Sequence, residues 1–402
     1  MIVNTCKCVI LRKYIINILK YLTFTDFNMT APATPCEQCI RSDPRTLLHQ
    51  AAGQLVECIP TPKRFKKVAN EFDLSASMQV AIIQNLYNQN RVKSLYNFIT
   101  NQIVFENLFM SEWYKTLAIY PICKNLADLG IGLIYTDYID MCMSELCSRR
   151  KSPSEVAEYC VVPLNLASHL IEYGLYTDAV RLLEDFYECL DFVVSKKAIR
   201  TKVRKTMADI RSLVIIMLLS SYNSLLWFKK ASHIYNMRGL SLHLMQNQHT
   251  IAAFLTECSR YCLLAGQIQT AHDHVISALT TLENSGMHAR IFVNALRQAS
   301  YTFMQLGKVH KARLAITHAL TITYHLWKTD QINPVCEKCD ECMLHLPFLD
   351  CLLDYAEYLK EVDRYNEASM VFDAVCEVRY RTIKSVKLII YHLFLGHFSQ
   401  VR

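Results

Sequence analysis

Residues 259–278, SRYCLLAGQIQTAHDHVISA, decide the fold of this chain, because residues 300–319, SYTFMQLGKVHKARLAITHA, repeat them with the small residues in register. In both stretches a serine (Ser259, Ser300) is followed seven residues later by a glycine (Gly266, Gly307). An alanine then stands five residues on (Ala271, Ala312), and a second alanine closes the segment (Ala278, Ala319). Glycine ends one helix and lets the chain turn back, since it enters the left-handed region without steric cost. Small residues on either side of the turn allow the two helices to approach closely. The pattern predicts an antiparallel helical pair.

Working outward, the same pattern recurs with Ala167, Gly174, Tyr176, Ala179 and Leu183, and again with Asp363 at the turn followed by Tyr365, Ala368, Phe372 and Val375. The 41 residues from Gly266 to Gly307 exceed the ~34 of an ordinary tetratricopeptide (TPR) repeat and suit the longer units of kinesin light chains. The 92 residues from Gly174 to Gly266 leave room for two units. The degenerate one between them is expected at residues 218–239, with Trp227, Ala231 and Tyr235. The expected fold class is therefore all-α: a TPR-like helical-hairpin solenoid, preceded by a short helical box region. Such stacks bury a continuous core and offer a concave face to partners.

Composition agrees. In 402 residues there are only 9 glycines and 10 prolines, too few for the hairpin turns of an all-β protein. The domain organisation expected is an extension over residues 1–43, a box-like helical region over 44–100, and the solenoid over 101–383. The solenoid carries a Cys-rich insertion at about 328–347, and an atypical apolar tail, LIIYHLFLGHFS, falls within 384–402. Neither that tail nor the interrupted apolar run at residues 14–22 is long enough to span a bilayer. The run reads either as an upstream start-site extension, with Met29 as the alternative start, or as a targeting segment. The extension is the preferred expectation.

Charge and chemistry exclude several functions. The net charge of +7 is scattered, and its main cluster, KKAIRTKVRK at residues 196–205, is either a solvated helix face or a contact for an acidic partner. No nucleic-acid module accompanies it. Seventeen cysteines, many at apolar helix positions such as Cys258, Cys262, Cys351 and Cys376, read as reduced core thiols rather than a disulfide framework. Cys336, Cys339, Cys342 and His345 are the one candidate zinc set. Their even spacing on one segment fits a solvated Cys-rich loop better, so no metal is favoured. No phosphate-binding loop, nucleophile elbow or metalloprotease helix occurs; the expectation is a binding protein without cofactor or catalysis.

Two motifs stand ahead of the repeats. Thr46, Leu47, Ala51 and Leu55 fit the pattern of an amphipathic helix that docks on elongin C, with Thr46 as cap and Leu47 as the knob entering the groove. Leu74, Ser75, Met78 and Ile82 match a cullin-2 box in which Ser75 stands where proline is expected.

In this order the motifs resemble the amyloid protein-binding protein 2 family. The likeness is carried by TLLHQAAGQLV (residues 46–56), NLYNQNRVKSL (85–95), LIEYGLYTDAVRLL (170–183), LRQAS (296–300) with the helix after it, and LLDYAEYLKEVD (352–363). It implies a substrate receptor of a cullin-2 RING ubiquitin ligase, bound to elongin B/C and cullin-2. The receptor would capture C-terminal degrons with an Arg-x2-Gly pattern, or cytoplasmic tails such as that of amyloid precursor protein. It also implies a cytoplasmic protein, in part nuclear, associated with microtubules and cargo membranes. Ser75, the Cys insertion and the end of the pattern near residue 381 depart from the family. From helix position, Arg297, Asp354, Tyr355, Glu357 and Tyr358 are the candidates for gripping the peptide. The alternative is a microtubule-associated cargo adaptor for intracellular transport without a ligase role.

Overall fold

In the computed structural model, residues 47–382 are described except 60, 72–73, 111–118, 132, 151, 196–200, 246, 286–288 and 333–339. The chain is all-α, with no strand among the described residues, and the described residues divide into two compact units, one ending at residue 285 and one beginning at residue 289. The first contains α1 (Leu47–Cys58), α2 (Pro62–Glu71), α3 (Ala76–Asn88), α4 (Val92–Ile99), α5 (Gln102–Met110), α6 (Ile119–Asp128) and α7 (Ile134–Arg149). It continues with α8 (Pro153–Tyr159), α9 (Val161–Glu172), α10 (Tyr176–Val194), α11 (Thr201–Ser224), α12 (Phe228–Asn236), α13 (Arg238–Leu244), α14 (Gln248–Leu264) and α15 (Ile268–Ser285). The second unit has α16 (Ala289–Gln305), α17 (Val309–Ile332), α18 (Asp340–Glu361) and α19 (Tyr365–Thr382). No helix among the described residues is long and apolar enough to cross a membrane.

One turn builds the repeats. The Gly266 N–H donates to the Leu263 carbonyl at 3.1 Å and the Gln267 N–H to the Cys262 carbonyl at 2.8 Å, which satisfies two carbonyls at the end of α14 and reverses the chain. The same pair of bonds closes turns at Asn90, Gly130, Gly174, Leu226, Gly307 and Asp363, and each of these residues has a positive φ between 53° and 75°. The turns at Gly174, Gly266, Gly307 and Asp363 are those expected from the sequence, and Leu226 closes the degenerate member. Asn90 and Gly130 add two more. The residues seven before and five after most turns are buried, as at Ser259 with Ala271 and Ser300 with Ala312. There the serine hydroxyl donates across the pair to the alanine carbonyl, at 2.8 Å and 3.0 Å. These two bonds lock equivalent hairpins in equivalent register.

The first unit's core runs without a break from Ala52 in α1 to Ala271 in α15. The box-bearing helices thus share an apolar interior with the repeats that follow. At its centre Phe105, Phe109 and Tyr138 pack together, Tyr120 stacks on Tyr173 at 4.0 Å, and the Tyr135 hydroxyl lies 3.0 Å from His169 Nε2. Burial holds the His169 pKa down to about 3, and burial also lowers those of His274 and His318.

A neutral buried imidazole makes stability depend on pH. The unfolded chain takes up a proton at His169 below its ordinary value near ~6.5, whereas the folded chain does not until about 3. This contribution is therefore complete above the unfolded value and is lost as pH falls from there toward the folded one. Urea unfolding at a series of pH values is expected to show stability falling with acid over that window, and His169→Phe should lower the slope by about one proton, or ~1.4 kcal/mol per pH unit; an unchanged slope would contradict a neutral His169. A second expectation concerns Leu226, the one aliphatic residue among the positive-φ turns. Because its side chain is mostly exposed, Leu226→Gly relieves backbone strain at little loss of burial. It should stabilise the chain by about 1 kcal/mol in urea unfolding.

Candidate functional site

The first candidate region is the α1–α4 end of the first unit. Helix α1 packs on α3 and α2 on α4, so the four helices interleave. Ala52 and Val56 form the buried stripe of α1, with Ile59 just beyond it, and Leu55 is partly buried against the same core. Thr46 lies outside the described residues; Leu47 and Ala51 belong to α1, but their side chains lie outside them too. The end of α1 is held by Arg91, whose guanidinium donates to the carbonyls of Val56 and, at 2.6 Å, of Ile59. It also sits 5.2 Å from the centre of the Phe65 ring. A cation placed there answers helix-end carbonyls that would otherwise lack donors and gains from the ring face.

The cullin-2 box residues meet different fates. Ser75 is exposed and caps α3, its Oγ accepting from the Met78 N–H at 3.4 Å. Its φ of −59° is the value proline's ring imposes, so the backbone at this position suits the residue that the box pattern expects. Leu74 and Met78 are partly buried against the core. The Leu74 carbonyl is held by the Gln79 side chain at 2.9 Å, and Asn107 donates in turn to Gln79 at 3.2 Å. Ile82 corrects the sequence reading: it is fully buried, flanked by Ala81, Ile83 and Leu86, which are buried as well. Apolar side chains on most of the circumference of α3 give the core more than one stripe, and Ile82 belongs to that interior rather than to a surface for cullin-2.

The second candidate region lies in the other unit, between α16 and α18. Here the structure brings together two of the expected peptide-gripping residues and turns them toward each other. Arg297 Nε donates to one oxygen of Asp354, while the Tyr301 hydroxyl donates to the other at 2.6 Å. Asp350 stands 3.9 Å from the same guanidinium. Both oxygens of Asp354 are thus engaged inside the protein, and the carboxylate is buried. Burial and then the neighbouring Asp354 push the Tyr301 pKa up, so the phenol stays a donor. Arg297 and Asp354 are accordingly a fold-holding pair and not a receptor for a degron arginine. Tyr358 is buried and lies 6.0 Å from Tyr355 with near-parallel rings. Tyr355 and Glu357 keep part of their surface, and Lys360 approaches Glu357 at 3.5 Å.

Sequence reasoning missed Tyr301 and Asp350. Their signal was present only as spacing: Arg297 and Tyr301 are one helical turn apart on α16, as are Asp350 and Asp354 on α18. A basic-plus-aromatic stripe facing an acidic stripe is legible once the two helices are known to be neighbours. The low-ranked zinc set falls outside what is described: Cys336 and Cys339 are outside the described residues, and the side chains of Cys342 and His345 in α18 are too. Of the basic cluster, residues 196–200 are likewise outside, while Lys202, Arg204 and Lys205 are exposed on the first turns of α11.

No known protein family's sequence profile matches the chain, and no curated protein matches it.

Removing one side of the Arg297 cluster should be costly. Asp354→Ala leaves a guanidinium and a phenol without their shared acceptor, and is expected to lower stability by about 2 kcal/mol, below the cost for a fully buried pair because Arg297 reaches solvent. Urea unfolding checks it. Unchanged stability together with lost peptide binding would return Asp354 to the role of ligand.

Proposed function

We propose that this chain is a non-catalytic substrate-recognition adaptor of a cullin-2 RING ubiquitin ligase. In this reading α1 enters a groove on elongin C within elongin B/C, and the start of α3, at Leu74, Ser75 and Met78, meets cullin-2. The helical repeats hold a C-terminal degron or a cytoplasmic tail such as that of amyloid precursor protein. An adaptor of this kind does no chemistry. It raises the effective concentration of its cargo beside the enzyme that modifies it.

The observation that carries the reading is the order of two short box motifs on separate helices, α1 and then the capped start of α3, directly ahead of the repeat turns. The proline-like backbone at Ser75 supports it, and the resemblance to the amyloid protein-binding protein 2 family supplies the identity of the partners. The same resemblance places such an adaptor in the cytoplasm and nucleus, near microtubules and the membranes that carry its cargo. With Ile82 in the interior and Arg297 and Asp354 committed to each other, the reading relies on Leu47, Leu74 and Met78 at the docking end.

Recovery of elongin B/C and cullin-2 with the purified full chain tests this. Leu47→Asp is expected to reduce elongin recovery at least tenfold with helical content unchanged, since a charged knob cannot enter an apolar groove. Ser75→Pro is expected to keep the fold and to raise cullin-2 recovery. A folded wild-type chain that captures cargo tails and microtubules but no elongin would instead identify a transport adaptor.

A further inference from the structure

The turn at Leu226 shows solvent a run of consecutive large apolar side chains, where the turn at Gly130 shows two separated ones, Leu129 and Leu133. Asn90, Gly130, Gly174 and Gly266 fill the corresponding left-handed position with residues suited to it, whereas Leu226 holds an aliphatic side chain there at φ 56°. Glycine would close the same turn without strain, and the leucine adds little to the core, because 56% of its surface is exposed. The next two residues repeat the display: Trp227 is 38% and Phe228 45% exposed. Three consecutive large apolar side chains thus project from the tip of one hairpin.

Charges of both signs stand around the tip. From α14, Arg260 donates to the Ser224 hydroxyl at 3.2 Å and lies 3.8 Å from Glu257, whose carboxylate accepts from the Asn223 side chain at 3.2 Å. Lys229 is exposed, with no ion pair among the described residues. Lys230 lies over the Trp227 ring at 5.0 Å and over Tyr222 at 5.6 Å. The acidic group that faces this tip from the neighbouring α10 is Glu184, and it is already taken by Lys230 and by the Tyr222 hydroxyl. With Lys230 paired to Glu184 and Arg260 beside Glu257, the apolar wedge and its indole stand over Lys229, a cation with no ion pair among the described residues.

We infer that this hairpin tip docks on an anionic lipid membrane surface. Trp and Phe side chains favour the boundary between headgroups and acyl chains. Lys229 beside them meets the negative surface potential, contributing about fivefold in binding. A wedge of three side chains gives peripheral, reversible attachment rather than a span. Membrane docking at this tip is independent of the ligase reading; it involves a different end of the first unit's sequence and a different class of partner.

Co-sedimentation of the full chain with vesicles tests it, using phosphatidylcholine alone and phosphatidylcholine mixed with phosphatidylserine. Binding is expected to the mixed vesicles, about fivefold weaker to the neutral ones, and to fall with added salt. Lys229→Glu, on an exposed side chain, should weaken binding by more than the fivefold worth of one charge. Leu226→Gly combined with Phe228→Ser should remove most of the remainder while the chain keeps its helical content. Equal binding to both vesicles, no binding, or variants that bind like the wild type would overturn the proposal. It would also be overturned if light scattering showed that the tip joins two copies of the chain, with the double variant converting a dimer to a monomer.

Discussion

The structure depends on a pair of backbone hydrogen bonds repeated at seven turns, one of them spanning from the residue after the left-handed position back across the end of the preceding helix, as from Gln267 to Cys262. This closure fixes both the direction in which the next helix leaves and its rotation about its own axis. Once both are fixed, the residue seven before the turn and the residue five after it must face one another. Most of those positions are therefore small or apolar and buried, and where both are small a serine hydroxyl can reach across to a backbone carbonyl, as Ser259 does to Ala271. Packing follows from turn chemistry here; the apolar face of each helix is oriented before it meets its neighbours.

That order of causes explains what could be read from sequence. Gly174, Gly266 and Gly307 announce themselves because glycine is the residue that enters the left-handed region freely, and the alanines around them repeat in register. Asp363 was recognisable by the helix after it. The turns at Asn90 and Gly130 were not, although asparagine tolerates the same conformation. Their partner positions are filled by Ile83 and Leu95, and by Cys123 and Tyr135, so the small-residue pattern that marks close helix approach is missing. Leu226 was placed within its unit by Trp227, Ala231 and Tyr235, yet nothing in its identity signals a left-handed turn.

The residues expected to dock and to grip were less legible, for a different reason. Whether a side chain faces out or in depends on which helices come together, and that is not local. Ile82 lies on a helix apolar around most of its circumference, so a stripe drawn through it could as well be core as surface. Arg297 and Asp354 are 57 residues apart in the chain; each alone looks like a free charge, and only the pairing of α16 with α18 joins them. By contrast, Ser75 could be read locally, because capping is set within one turn of helix. Its departure from the box pattern changes the side chain but leaves the backbone as proline would have it.

The ligase reading joins these facts by assigning α1 to a partner and the repeats to cargo, with the shared core transmitting rigidity between them in the first unit. Hydrogen-deuterium exchange of the full chain with and without purified elongin B/C addresses it most directly. Added protection concentrated in Leu47–Cys58, with exchange in Gln248–Leu264 and Ile268–Ser285 unchanged, is the expected result. Protection confined to those later helices, or no change anywhere in α1, would contradict it.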